Sequence, residues 1–335
     1  MVHAQFTPAA DNKGERKMRG VFLDLDTVSR EGDVDLAPLR RALGELRTFG
    51  TSPTEQVLLR VADAEVVITN KVKLGAAALA QFPRARLVCI AATGTNNIDL
   101  KAARARGIAV SNVPAYSTMS VVQMVFALVL NLTQHLKEYE ALLQAGAWRR
   151  APQFTLLDYP IRELAGRKFG ILGYGEIGRA VARVAEALGM PVLIAARNSA
   201  DTRPGRLPLA QLLAQVDVLS IHVPLLPETR NLIGAGELAR MKRDALVINC
   251  ARGGIVDEQA LADALCARRL GGAGVDVLSE EPPVHGNPLL VPGIPNLIVT
   301  PHIAWAAREA RQRVIDEMAL NIIAFGQHQS RNRVV

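Results

Sequence analysis

The feature that most restricts the fold is Phe169-Gly-Ile-Leu-Gly173-Tyr-Gly175-Glu-Ile-Gly178, an apolar run that passes through GxGxxG into an amphipathic stretch at 177–188. Each glycine has its own task. Gly173 permits a tight turn, Gly175 lets the backbone approach a pyrophosphate, and Gly178 allows the helix to pack closely on the strand. The free amides at the helix start then face the anion. A glycine-rich turn without a ligand spells the same local letters, so the flanking chain must carry the reading.

Those flanks alternate short β-branched runs with longer amphipathic stretches. Val21–Leu25 precedes 35–47, Val66–Thr69 precedes 74–82, Leu87–Ala91 precedes 99–106, and Ile108–Ser111 closes a first series. Strands alternating with helices predict a parallel sheet covered on both faces. A long helix is predicted from a Ser117–Thr118 cap towards Gln144, apolar through Met119–Leu132, and Gly146–Pro160 breaks the pattern. The glycine loop opens a second series: Phe169–Leu172, helix 177–188, Val192–Ala195, helix 208–214, Val218–Ile221, Leu246–Asn249, helix 257–268, Gly274–Val277 and Leu297–Thr300. A final amphipathic stretch near 306–326 lacks further strands and is expected to return to the first domain.

The predicted fold class is therefore α/β, with two Rossmann-like doubly wound parallel-sheet domains and a cleft between them. Residues 20–112 plus 303–335 are expected to form one discontinuous domain and 113–302 a dinucleotide-binding domain. Residues 1–19 mix Asp11, Lys13, Glu15, Arg16 and Lys17 without an apolar core, which reads as a disordered extension and not a secretory signal.

Composition excludes other classes. A chain of 335 residues has room for two domains, and 49% apolar with 21% charged residues fits neither disorder nor a fibrous repeat. Cys89, Cys250 and Cys266 are an odd, scattered set with no metal-ligand spacing, so a reducing cytoplasm is expected and no metal. The net charge of +7 comes from scattered basic pairs without interleaved aromatics, which argues against nucleic acid. The apolar run at 119–132 is interrupted by Ser120, Gln123 and Asn131 and is shorter than the roughly 20 residues of a membrane span.

The second strand of the nucleotide domain ends near Ala196, where an Asp or Glu would hydrogen-bond the ribose of NAD. Arg197 follows, and a guanidinium suits a 2′-phosphate, so NADP is favoured over NAD. The alternative has Arg197 stacking on adenine or facing water.

Six motifs together resemble the D-isomer-specific 2-hydroxyacid dehydrogenase family over about residues 20–326. They are Ala92-Thr-Gly-Thr-Asn-Asn-Ile-Asp99, the GxGxxG, His222-Val-Pro-Leu-Leu-Pro-Glu-Thr229, Ile248-Asn-Cys-Ala-Arg252-Gly-Gly-Ile-Val-Asp257, Gly274-Val-Asp276-Val-Leu-Ser-Glu-Glu281-Pro282 and Thr300-Pro-His302. The resemblance implies that Arg252, Glu281 and His302 are catalytic. Chemistry accounts for the residue types: a guanidinium binds a carboxylate and polarises the adjacent carbonyl, and an imidazolium protonates the alkoxide left by hydride transfer. Glu281, hydrogen-bonded to His302, would favour the charged imidazole.

The resemblance also implies a cofactor site made of Thr93, Gly173, Gly175, Glu176, Ile177, Gly178, Arg197, Asn198, Val223, Pro224, Thr229, Cys250, Ala251, Arg252, Asp276 and His302. Substrate would meet Lys71, Thr93, Gly94, Thr95, Arg252 and Trp305. Thr93–Thr95 is otherwise a plain turn, Lys71 a solvated lysine, and Trp305 a packing residue of the returning helix. Cys250 is read as lining and not nucleophilic, and His222 as a strand-end residue. Gln123-Met124 and Ala304-Trp305 depart from the common family pattern; Asn70-Lys71 with Ala304-Trp305 looks most like the hydroxypyruvate reductase or glycerate dehydrogenase branch. The implied activity is reduction of a small 2-oxoacid, hydroxypyruvate or glyoxylate favoured, by a twofold homodimer. The competing class is a dinucleotide-sensing, corepressor-like binding protein.

Overall fold

The computed structural model describes residues 17–335. Two compact units emerge, one holding the residues up to Tyr116 together with Arg308–Val335, the other Ser117–Ala307. Of the stretch 1–19 expected to be disordered, 1–16 lie outside the described residues. Arg19 is no part of a loose extension: it pairs with Glu45 in the first sheet.

The first unit runs β1 (Arg19–Phe22), α1 (Ala37–Ala42), β2 (Glu45–Thr48), α2 (Thr54–Val61), β3 (Val66–Thr69), α3 (Ala76–Ala80), β4 (Leu87–Ile90), α4 (Leu100–Ala105) and β5 (Ala109–Ser111). Its strands pair in parallel in the order β2-β1-β3-β4-β5. β3 and β4 are buried at every position, as strands covered on both faces must be. The stretch 35–47, read above as one helix, is two elements. Leu43 turns to an extended conformation after α1, and the next residues pair with β1 as an edge strand. β2 has no fully buried position, so it lacks the alternation that would have marked it. α2 is a further helix, with no counterpart among the predicted elements.

The second unit begins with α5 (Thr118–Gln134), α6 (Leu136–Gln144) and α7 (Ala147–Arg150). The single helix expected to reach Gln144 is broken at His135, which adopts φ 50° and stacks on Tyr159 with ring centroids 5.4 Å apart. α5 and α6 diverge there by 55°. Ser117 precedes α5, but its side chain makes no capping hydrogen bond. No single helix among the described residues is long and apolar enough to cross a membrane.

The chain continues through β6 (Phe169–Leu172), α8 (Glu176–Ala187), β7 (Val192–Ala195), β8 (Arg206–Leu207), α9 (Leu209–Leu213), β9 (Val218–Ile221), α10 (Ala235–Arg240), β10 (Leu246–Asn249), α11 (Glu258–Cys266), β11 (Gly272–Val275) and β12 (Leu297–Val299). Of these, β8 and α10 had no counterpart in the sequence reading. All seven strands are parallel, in the order β12-β11-β10-β9-β6-β7-β8. The winding reverses between β6 and β9, so their carboxyl ends flank the switch point at which open α/β sheets take ligands. α5 covers one face, packing on α8, β10 and β11.

α12 (Arg308–Gly326) belongs to the first unit, against α1 and β4. Arg311 pairs with Asp33 and also donates to Val28 O at 3.0 Å. The last residues join the sheet edge, with Val334 N donating to Val110 O at 2.8 Å.

Candidate active site

The glycine loop joins β6 to α8 at the switch point. Gly173 has φ 100°, and a Cβ there would stand 2.6 Å from the His222 carbonyl carbon, so only glycine lets the turn pass beside the end of β9. A Cβ on Gly178 would lie 2.1 Å from Gly173 O, whereas one on Gly175 would meet nothing within 4 Å. Backbone amides at Gly175 therefore border open space at the start of a twelve-residue helix. This is a cradle that fits a dinucleotide pyrophosphate. The Glu176 carboxylate accepts from Thr118 Oγ1 at 2.7 Å, and Ile177 packs into the core beneath α8.

At the end of β7, Arg197 N donates to Asp201 Oδ2 at 2.8 Å, and Asn198 Oδ1 accepts from Ala200 N at 3.1 Å. Arg203 grips Asp201 through Nε and Nη2, both at 2.7 Å. Sequence reasoning found no carboxylate near Ala196, yet Asp201 folds back to this corner; Arg203 holds its carboxyl far below the usual range. Its lone pairs are thus engaged, while the Arg197 guanidinium makes no ion pair among the described residues. The signal for Asp201 was the short return of chain before β8, which sequence did not reveal.

After β9, His222 N extends the ladder to Leu172 O at 2.7 Å, and its ring Nε2 lies 2.9 Å from the buried Ser220 Oγ. Burial pushes this imidazole down to about 4, so it is neutral at pH 7 and unsuited to donate a proton. Val223 packs on the core beyond it, and Thr229 Oγ1 donates to Pro224 O at 2.7 Å, holding the following turn.

Arg252 sits on the turn after β10. Asn249 closes that turn from both sides: its Nδ2 donates to Arg252 O at 2.9 Å and its Oδ1 accepts from Ala251 N at 3.1 Å. The guanidinium spends one N–H on Ala251 O at 2.6 Å. Burial, aided by the negative charge of Asp276, raises the Cys250 thiol so far that no thiolate forms near neutral pH.

Asp276, 1% exposed, follows β11. Its Oδ1 accepts from Thr300 Oγ1 at 2.5 Å and Ile303 N at 2.9 Å, and its Oδ2 from Ala304 N at 2.9 Å. Its carbonyl accepts from His302 N at 2.8 Å. One buried carboxylate thereby fixes the segment that carries His302, a positioning duty that sequence had not assigned to it. His302 Nδ1 lies 2.7 Å from Glu281 Oε2, while Glu281 Oε1 accepts from Leu278 N at 3.0 Å. A carboxylate can only accept, so Nδ1 carries the proton and Nε2 is left for a ligand. Trp305 Nε1 donates to His302 O at 2.9 Å. Among the described residues no group of three or more His, Cys, Asp or Glu could hold a metal ion.

The remaining expected residues lie in the first unit, beyond the carboxyl ends of β3 and β4. Thr93 Oγ1 donates to Val113 O at 2.8 Å and Thr93 O accepts from Asn112 Nδ2 at 2.7 Å, fixing the turn that continues through Gly94 and Thr95. Lys71 is exposed. Its backbone N–H donates to Asp24 Oδ2 at 2.6 Å, and the same carboxylate, 3% exposed, also receives Asn70 N and Val72 N.

Residues 126–304 match the family model for the D-isomer specific 2-hydroxyacid dehydrogenase NAD binding domain. The chain is 44% identical to a glycerate dehydrogenase of Methylorubrum extorquens, covering 84% of this chain and 88% of that one. It is 40% identical to a hydroxypyruvate reductase of Blautia hydrogenotrophica, over 88% and 92% of the two chains. The crystal structure of the TT0316 protein from Thermus thermophilus superposes with a TM-score of 0.83 at 34% identity, covering 95% of this chain and all of that one.

Proposed function

This chain belongs to the D-isomer-specific 2-hydroxyacid dehydrogenase family, oxidoreductases that use a nicotinamide dinucleotide, and from that premise we propose that it reduces hydroxypyruvate or glyoxylate to the D-2-hydroxyacid, with NADPH preferred. The observation that carries this reading is the Glu281–His302 pair, in the same unit as the Arg252 turn and the glycine loop. A bound nicotinamide supplies the hydride.

The protein's own residues do the rest. Arg252 keeps most of its N–H groups for the substrate carboxylate and carbonyl oxygen, drawing charge towards that oxygen as it becomes an alkoxide. His302, held by Glu281 at Nδ1, gives the alkoxide its proton from Nε2 and retrieves it in the reverse direction. In the first unit, the Thr93-Gly94-Thr95 turn offers amides for a carboxylate and Lys71 a favourable charge. Trp305 is better supported as a brace on the His302 carbonyl than as a pocket wall.

Support for NADPH is the Arg197 guanidinium, left without an ion pair among the described residues while Arg203 neutralises Asp201. Support for a twofold dimer is the exposed apolar set Leu143, Trp148, Phe154, Leu157 and Ile161, with Phe154 90% exposed. It lies mainly beyond α5, the helix from which sequence had argued. Free Cys89, Cys250 and Cys266 suit a reducing cytoplasm.

The test follows NADPH and NADH oxidation by absorbance against a panel of 2-oxoacids. Turnover highest with hydroxypyruvate or glyoxylate is expected. Tight cofactor binding without turnover on any acid would replace the enzyme with a dinucleotide sensor.

A further inference from the structure

The segment 279–287, between β11 and the turn at Pro288–Leu290, contains neither helix nor strand, yet it carries Glu281. Something else must hold it. Glu258, the first residue of α11, reaches both of its ends: Oε1 accepts from Ser279 N at 2.6 Å, and Oε2 accepts from Ser279 Oγ at 2.7 Å and from Asn287 Nδ2 at 2.6 Å. Asn287 Oδ1 is itself committed to Leu289 N at 2.9 Å. We propose that Glu258 is a positioning residue of the reduction, acting through the 279–287 loop to hold Glu281 against His302; this rests on the role given to that pair above.

Three features make the tie rigid. The start of α11 is anchored by Asp257, whose Oδ1 accepts from Ala260 N at 3.0 Å. The Arg252 turn touches the loop directly, since a Cβ on Gly253 would stand 1.9 Å from Leu278 O and 2.4 Å from Ser279 N. Glu281 departs two residues after Ser279 and returns one oxygen to Leu278 N, so the tie at Ser279 and the acid–base pair share one short stretch of backbone. Glu258 thereby keeps the Arg252 turn, Glu281 and His302 in register.

The side chain has to be a glutamate. A carboxylate presents only acceptors and here meets three donors. Glutamine would set its NH2 either against Ser279 N–H or against Asn287 Nδ2, which cannot flip without abandoning Leu289 N. Aspartate is one methylene short of spanning both ends.

The experiment measures kcat and KM for the best acid in the panel, and Kd for NADH by fluorescence, in Glu258→Gln, Glu281→Gln and the double variant. Glu258→Gln should lower kcat about tenfold while Kd for NADH changes by less than about twofold. Added to Glu281→Gln, it should lower kcat by less than about twofold more, because the carboxylate charge that it positions against His302 is already gone. Asn287→Ala, which cuts only the far tie, should reproduce the non-additivity with a smaller loss and serves if Glu258→Gln does not fold. Wild-type kcat in Glu258→Gln beside an impaired Glu281→Gln would overturn the proposal, as would a fully additive double variant. Wild-type kcat in Glu281→Gln would instead overturn the role of the pair.

Discussion

His302 is held 2.7 Å from Glu281 with its own backbone in the left-handed region, at φ 56°. For a residue with a Cβ this conformation costs about 1–3 kcal/mol. The cost is offset locally: Asp276 accepts two backbone amides just after His302, and the Trp305 indole caps the His302 carbonyl. Strain at this position, opposed by buried hydrogen bonds, would preorganise Nε2 for the proton transfer proposed above.

His302→Ala is expected to lower kcat by about 10²–10⁴, the range for losing a positioned general acid, with Kd for NADH nearly unchanged. Steady-state kinetics and cofactor fluorescence decide it. A variant with near-normal kcat would remove His302 from the proton transfer.

Arg252→Ala should raise KM and lower kcat together, since one guanidinium serves both the ground-state carboxylate and the developing alkoxide. Arg252→Lys should recover only part of the loss, because an ammonium lacks the planar fork. A change in melting temperature with unaltered kinetics would mark Arg252 as structural.

Wild type should show higher kcat/KM with NADPH than with NADH, and Ala196→Asp with Arg197→Ala should reverse the preference. Loss of one charge-assisted contact is worth about 1.5–3 kcal/mol, or about 10–150-fold in kcat/KM. Solvent at this exposed corner brings the effect towards the lower figure. An unchanged ratio in the double variant would make Arg197 a bystander.

Light scattering at micromolar concentration should report about twice the 36.1 kDa chain mass. Replacing Phe154 and Leu157, 90% and 80% exposed, by Ser should shift the mass towards one chain. A wild-type monomer would leave this apolar surface without a second copy.

Acid stability should carry the mark of His222. Its imidazole titrates near 6.5 in the unfolded chain and about 4 when folded, so between those values the unfolded chain binds a proton that the native state refuses. The contribution is complete above about pH 6.5 and is lost as pH falls towards 4. Melting temperatures between pH 7 and 4.5 should fall more steeply for wild type than for His222→Gln; parallel curves would show that the ring is hydrated in the native state.

Sequence exposed whatever depended on a local pattern. β3, β4 and β6 are short apolar runs, and GxGxxG is a backbone requirement written directly in residue types. The spacing of Arg252, Glu281 and His302 was visible through resemblance, although the contact between Glu281 and His302 is a long-range one. Hidden features were those decided by tertiary pairing. β2 becomes a strand because Arg19 lies beside Glu45, and α5 ends because His135 finds Tyr159. The duties of Asp276 and Glu258 are equally non-local, since each carboxylate serves donors about 20–30 residues away, beyond the reach of helix or strand periodicity.

The return of α12 to the first unit sets an order on how the molecule can be made. A ribosome finishes β1 through β5 early but reaches Arg308 only after every residue of the second unit has been synthesised. Until then α1 and β4 lack the helix that packs on them, and Asp33 lacks Arg311. The second unit is contiguous and can mature on the nascent chain, whereas the first must wait, partly bare, for its last 28 residues. Truncating the carboxyl end should therefore leave a folded nucleotide-binding half attached to an aggregation-prone partner, and the yield of soluble full-length protein should depend on chaperones that shield the early half during elongation.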